Sequence, residues 1–206
     1  MKLQRFLTIA VLLFAGSVFA QSRTVEGTVS YGKAPIKGIT IAVQGSAFDH
    51  PKLELIIGDG IEYVAKAAPK SFDYIIVDGS DPVGPAEGLF SEKFYRDCKN
   101  ALADGGMLIT QGESPLFNSS TFTELNACLK RIFPAERVKT MLFHIPTYPS
   151  GIWSFQIAVN GDLDVTEPNE KALAEFQRPH ALKYYNTEVH RAAFALPNYV
   201  KEMLNE

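Results

Sequence analysis

Cysteine and positive charge are both scarce in this chain, and each shortage excludes a class of function. Only Cys98 and Cys128 are cysteines among 206 residues, and they lack the spacing of a metal-binding cluster. Each falls in a helical-looking segment, where a thiol serves as a small buried hydrophobe. The formal net charge is −3. No basic stretch tracks a phosphate backbone, which excludes nucleic acid as a partner. Internal repeats and low-complexity tracts are absent too. A 46% hydrophobic share with 12 prolines suits one ordinary globular domain with a core of its own.

Long apolar runs are also missing. The opening run, Phe6 to Ala15, is too short to span a bilayer. Lys2 and Arg5 precede it, and Gly16 to Ala20 follow it. A basic start, a short apolar core and a small residue before Gln21 make residues 1–20 a secretory signal segment, removed to leave no stable membrane span. The alternative is an N-terminal core segment. Residues 21–50 are expected to form a β-hairpin and junction, with β-rich runs at 24–30 and 39–44 around the Gly/Pro-containing loop 31–38.

From Pro51 onward the pattern changes to alternating strands and helices. Strands are expected at 53–57, 72–77, 107–110, 138–143 and 153–159. Helices are expected at 61–68, at 91–102 with Ser91 as N-cap, and at 120–133 before Pro134. Short helices follow Lys171. Strands alternating with helices imply an α/β fold with a mostly parallel sheet and helices on both faces.

The densest chemistry lies in Asp78-Gly79-Ser80-Asp81-Pro82-Val83-Gly84-Pro85, directly after the strand 72–77. Asp78 falls at the C-terminal end of that strand, where open α/β sheets bind ligands. Asp81 stands three residues on, in a loop stiffened by prolines. Two carboxylates on a rigid loop suit a cationic ligand. Taken alone, Asp81 also suits simple turn initiation before Pro82, and Asp59-Gly60 suits a turn. Gln111 and Glu113 suit solvated strand-end positions, while Tyr148 and Trp153 suit core aromatics.

Five segments in order carry a family resemblance: GDGIEYV (58–64), FDYIIVDGSDPVGPAEGLF (72–90), GGMLITQGESP (105–115), IPTYPSGIWSF (145–155) and LKYYNTEVHRAAFALP (182–197). Residues 51–206 thereby resemble the C-terminal part of the catalytic domain of a polyamine aminopropyltransferase of the spermidine synthase type. The resemblance implies a class I methyltransferase-like, Rossmann-like sheet. It implies transfer of an aminopropyl group from decarboxylated S-adenosylmethionine to putrescine, giving spermidine and 5′-methylthioadenosine, with no metal and no cofactor beyond that co-substrate.

The resemblance also assigns residues. Asp78 is the proton acceptor. Asp78, Gly79, Ser80, Asp81, Gln111 and Tyr148 line the putrescine site. Asp59, Gly60 and Pro85 match the donor site. His190 lies outside these motifs and is assigned a structural role. The family commonly forms homodimers, and its substrates are cytosolic, which conflicts with the export implied by residues 1–20.

The chain departs from the family in one respect. No G-x-G-x-x-G-like loop precedes Gly58, nor is there an acidic residue for the donor's ribose. The expected sheet is therefore incomplete at its N-terminal strands, and turnover by this chain alone is expected to be slight. Two other readings stand beside it: a non-catalytic exported protein that binds a polyamine or nothing, and a methyl-transferring enzyme of the same fold.

Overall fold

A computed structural model describes residues 6–10, 23–24, 30–31, 34–35, 42–43, 54, 56, 58–79, 82, 84–178 and 182–206, with backbone pairing alone before residue 54. Strand β1 is Phe6–Ala10, β2 Arg23–Thr24, β3 Ser30–Tyr31, β4 Ala34–Pro35 and β5 Ala42–Val43. Helix α1 is Gly60–Ala65, β6 Phe72–Asp78, α2 Glu92–Ala101 and β7 Leu102–Gln111. Then come α3 Ser119–Ile132, β8 Val138–His144, β9 Ile152–Asn160, α4 Glu170–Gln177, α5 Thr187–Phe194 and α6 Asn198–Leu204.

The main sheet has the order β1-β6-β7-β9-β8. β6 pairs in parallel with β1 and β7, whereas β9 runs antiparallel to both β7 and β8. The parallel half follows from the helices that connect its strands. The antiparallel half follows from the short loop 145–151, which makes β8 and β9 a hairpin. Within the α/β architecture the sheet is thus mixed.

β1 lies inside the run read as a signal core. It flanks β6 in register from Phe6↔Tyr74 to Ala10↔Asp78. The rest of the proposed signal, residues 1–5 and 11–20, lies outside the described residues. In the hairpin region, Arg23 and Thr24 pair antiparallel with Val43 and Ala42, and Ser30 and Tyr31 with Pro35 and Ala34. Among the described residues these short strands join no part of the main sheet. Glu54 and Ile56 belong to no strand, and the remainder of the strand expected at 53–57 lies outside the described residues.

The core forms where α2 and α3 cover the sheet. Phe94, Tyr95, Cys98 and Ala101 make the buried stripe of α2. Phe122, Leu125, Cys128, Leu129 and Ile132 do the same for α3. These spacings of three and four residues keep one helix face apolar. All of these residues but Phe122 join Ile75, Val77 and Leu108 of the sheet in one cluster. The Ser91 hydroxyl caps α2 by accepting the Phe94 N–H at 3.2 Å, as expected from the sequence. A second cluster joins Phe122 of α3 to Val200 and Leu204 of α6. No helix among the described residues is long and apolar enough to cross a membrane.

β7 begins five residues before the expected Met107. Asp104-Gly105-Gly106 looks like a turn, but the chain carries it as an irregular strand start. The register shifts between Phe72 and Tyr74 of the partner strand, and such a bulge absorbs extra residues while the ladder continues. A Cβ on Gly106 would lie 2.9 Å from the backbone oxygens of both Ala103 and Asp73. Neither oxygen can retreat without disturbing the ladder. Gly106→Ala is therefore expected to destabilise the protein by about 1–3 kcal/mol, as overpacking does, lowering the urea midpoint at unchanged slope. An unchanged midpoint would show that the bulge is slack.

Candidate functional site

Strand register assembles the site. Val77 lies opposite Thr110 in the parallel β6–β7 pair, so Asp78-Gly79 and Gln111 leave the sheet at the same edge. Gln111 in turn pairs with Phe155 of β9, and His144 pairs with Ile152. The loop 145–151, which carries Tyr148, thus leaves the sheet at that edge too. Ligands of open α/β sheets gather at such strand ends.

Asp78 ends β6 with its side chain exposed. Gly79 follows, packed so close to the 84–90 segment that a Cβ there would come within 2.8 Å of Leu89 Cδ1. Val77, Gly79, Leu89, Phe90, Tyr95 and Thr110 line a narrow crevice whose remaining wall is Gln111. Burial pushes the Tyr95 phenol well above its ordinary value, and its hydroxyl lies 3.1 Å from Thr110 Oγ1, so this wall stays uncharged. Ser80 and Asp81 lie outside the described residues. Pro85 is the second residue of a 3-10 segment at 84–90.

The Asp59-Gly60 motif sits at the start of α1. Asp59 is its N-cap, with Oδ1 accepting the N–H groups of Ile61 at 2.8 Å and Glu62 at 3.2 Å. Gly60 is the first helical residue. α1 packs close to the 84–90 segment, since a Cβ on Gly88 would meet Ile61 Cδ1 at 2.6 Å. Thus the backbone of the Asp59-Gly60 motif adjoins the segment containing Pro85, and Leu89 of that segment adjoins Gly79.

Gln111 and Glu113 are not solvated strand-end groups: their exposures are 8% and 0%. Gln111 Nε2 donates to Glu113 Oε1 at 3.1 Å, and Asn118 Nδ2 donates to Glu113 Oε2. The segment 111–114 is tied down by Ser154, whose hydroxyl donates to the Glu113 carbonyl at 2.8 Å. Ser114 Oγ lies 3.0 Å from Ser150 Oγ, which joins this segment to the Tyr148 loop. Tyr148 stands 46% exposed above Trp153, edge to face at 4.9 Å. Trp153 is the core aromatic of the pair and Tyr148 is not. Asn118 and the buried state of Glu113 were missed by sequence reasoning, although Glu113 stands inside the QGESP motif.

The other titratable candidates are structural in placement. Burial pushes both cysteine thiols up, which leaves them unreactive. The His190 ring spans Tyr185 Oη and the Val165 carbonyl, each 2.9 Å away, and so ties together the C-terminal segments.

Residues 29–169 match the spermine/spermidine synthase domain. A polyamine aminopropyltransferase of Clostridioides difficile (strain 630) is 44% identical over 160 residues, which is 77% of this chain and 55% of that protein. A spermidine synthase in complex with the transition state analogue AdoDATO superposes with a TM-score of 0.70 at 38% identity, over 77% of this chain and 53% of that one. The spermidine synthase from Thermotoga maritima gives 0.68 at 37% identity, over 77% and 52%. The chain spans about half the length of the curated relatives it matches. These likenesses bear out the α/β, methyltransferase-like architecture expected from the sequence. On the match across residues 29–169, the chain belongs to the spermine/spermidine synthase domain family.

Proposed function

We propose that the β6–β7 edge is the amine-acceptor half of an aminopropyltransferase, acting on putrescine with decarboxylated S-adenosylmethionine as donor. The observation that carries this reading is the register that sets Asp78-Gly79 beside Gln111, in a chain that belongs to this family. Putrescine at neutral pH is a dication, and an ammonium has no lone pair. Asp78 accepts the proton of the attacking nitrogen. That nitrogen's pair forms the new N–C bond to the aminopropyl carbon. The C–S bond breaks, and its pair returns to the sulfonium sulfur, leaving the neutral thioether 5′-methylthioadenosine. Alignment and removal of one proton are the main demands of such a displacement. Asp81, Ser80 and Tyr148 complete the acceptor site in this proposal, and Asp59, Gly60 and Pro85 meet the donor.

The donor side is the weaker half, because no glycine-rich loop precedes Gly58 in the sequence. A polypeptide of these 206 residues is expected to bind the amine yet turn over slowly. The test is a mass-spectrometric assay with both substrates. Traces of spermidine with matching 5′-methylthioadenosine are expected. An ordinary enzymatic rate would overturn the impaired-donor part. Methylated putrescine formed from S-adenosylmethionine would favour methyl transfer and overturn the whole reading.

A further inference from the structure

A buried carboxylate governs which end of the Gln111 amide is available. Gln111 turns its NH2 toward Glu113, donating to Oε1 at 3.1 Å. Its carbonyl then necessarily faces the other way. That oxygen, Gln111 Oε1, is buried and has no hydrogen-bond partner among the described residues, and Gln111 forms a wall of the crevice beside Gly79. A buried acceptor in that state calls for a donor. An ammonium supplies up to three N–H groups and no acceptor.

The hold on Glu113 is itself unusual. Asn118 occupies the N-cap position of α3, where its side chain makes no capping hydrogen bond, and its Nδ2 donates to Glu113 Oε2. Glu113 also adopts a left-handed backbone with φ 69°, a conformation uncommon outside glycine and frequent at functional sites. Ser154 secures its carbonyl at 2.8 Å.

We propose that Glu113, held by Asn118 and Ser154, is a positioning residue that locks the Gln111 amide with its oxygen toward a cationic amine ligand. The inference rests on the amine-acceptor reading given above. Glu113 acts through Gln111 rather than by touching the amine.

A double-mutant cycle read by calorimetric titration with putrescine tests this. Glu113→Gln permits the Gln111 amide to turn over, and is expected to weaken putrescine binding about tenfold with an unchanged melting temperature. In a Gln111→Met background the same substitution is expected to have almost no effect, since the group it orients is gone. Equal weakening in both backgrounds would mean that Glu113 acts by its charge alone, and overturns the proposal. So does no weakening in either. Should Glu113→Gln unfold, Asn118→Ala replaces it. An about threefold loss is expected in the native background and none beside Gln111→Met; no loss in either overturns the proposal. If the unmutated chain fails to bind putrescine, the amine-acceptor reading falls and this inference with it; if it binds but the cycle is additive, only the inference falls.

Discussion

Asp78→Asn is expected to weaken putrescine binding about tenfold, and to remove whatever aminopropyl transfer the chain supports. The size follows from the chemistry. A hydrogen bond to a charged partner contributes about 1.5–3 kcal/mol, and Asp78 is exposed at the end of β6, where solvent and salt hold the effect to the lower end of that range. Tenfold corresponds to about 1.4 kcal/mol. Asparagine keeps the shape and one acceptor but takes up no proton. Loss of a general base costs about a hundredfold or more in rate, so binding and turnover should fall by different factors. Binding that is unaffected by Asp78→Asn would place the amine elsewhere.

Phe94→Ala is expected to have the largest effect on stability. Phe94 is fully buried on α2, and its ring meets Tyr95 edge to face at 5.3 Å. It fills the space between α2 and the sheet in the cluster that includes Ile75, Leu108 and Leu129. Truncating such a side chain removes its apolar burial and leaves a cavity, at a cost of about 3–5 kcal/mol. A domain of ordinary stability has only about 5–15 kcal/mol in total. The expected result in chemical denaturation is a midpoint lowered by a large fraction of its value, with expression reduced. A change below about 1 kcal/mol would mean that the core closes around the gap and that α2 is not packed as described.

The parts of the fold that were legible in the sequence are those fixed by local pattern. The α2 stripe with its Ser91 cap, the α3 stripe ended by Pro134, and the two strands of the β8–β9 hairpin all carry their periodicity within a few residues. The parts that were not legible depend on contacts remote in sequence. Phe6–Ala10 has the composition of a signal core, and only its pairing with Tyr74–Asp78 makes it a strand. Gly105-Gly106 carries a turn signal, yet the bulge against Asp73 absorbs it into β7. Glu113 resembles a polar strand end because its local pattern does not announce that Ser154 and Asn118 will hold it.

The candidate site divides along the same line. Asp78, Gly79 and Gln111 were singled out from motifs, and register brings them to one edge. Tyr148 was singled out as well, and it stands on a loop tethered to the same segment through Ser114 and Ser150. The role of Asp59 in capping α1 was not foreseen: its carboxylate already holds two backbone N–H groups, and any donor contact it makes must share that side chain. The orienting contact between Glu113 and Gln111 was out of reach for a different reason, because spacing along a chain says nothing about which end of an amide faces which neighbour.

The account is tested most directly by calorimetric titration of the chain with putrescine and, separately, with decarboxylated S-adenosylmethionine. The account predicts saturable putrescine binding that Asp78→Asn weakens about tenfold, together with weak or undetectable donor binding. A folded chain that takes up no putrescine would contradict it, because the β6–β7 edge would then not be an amine site.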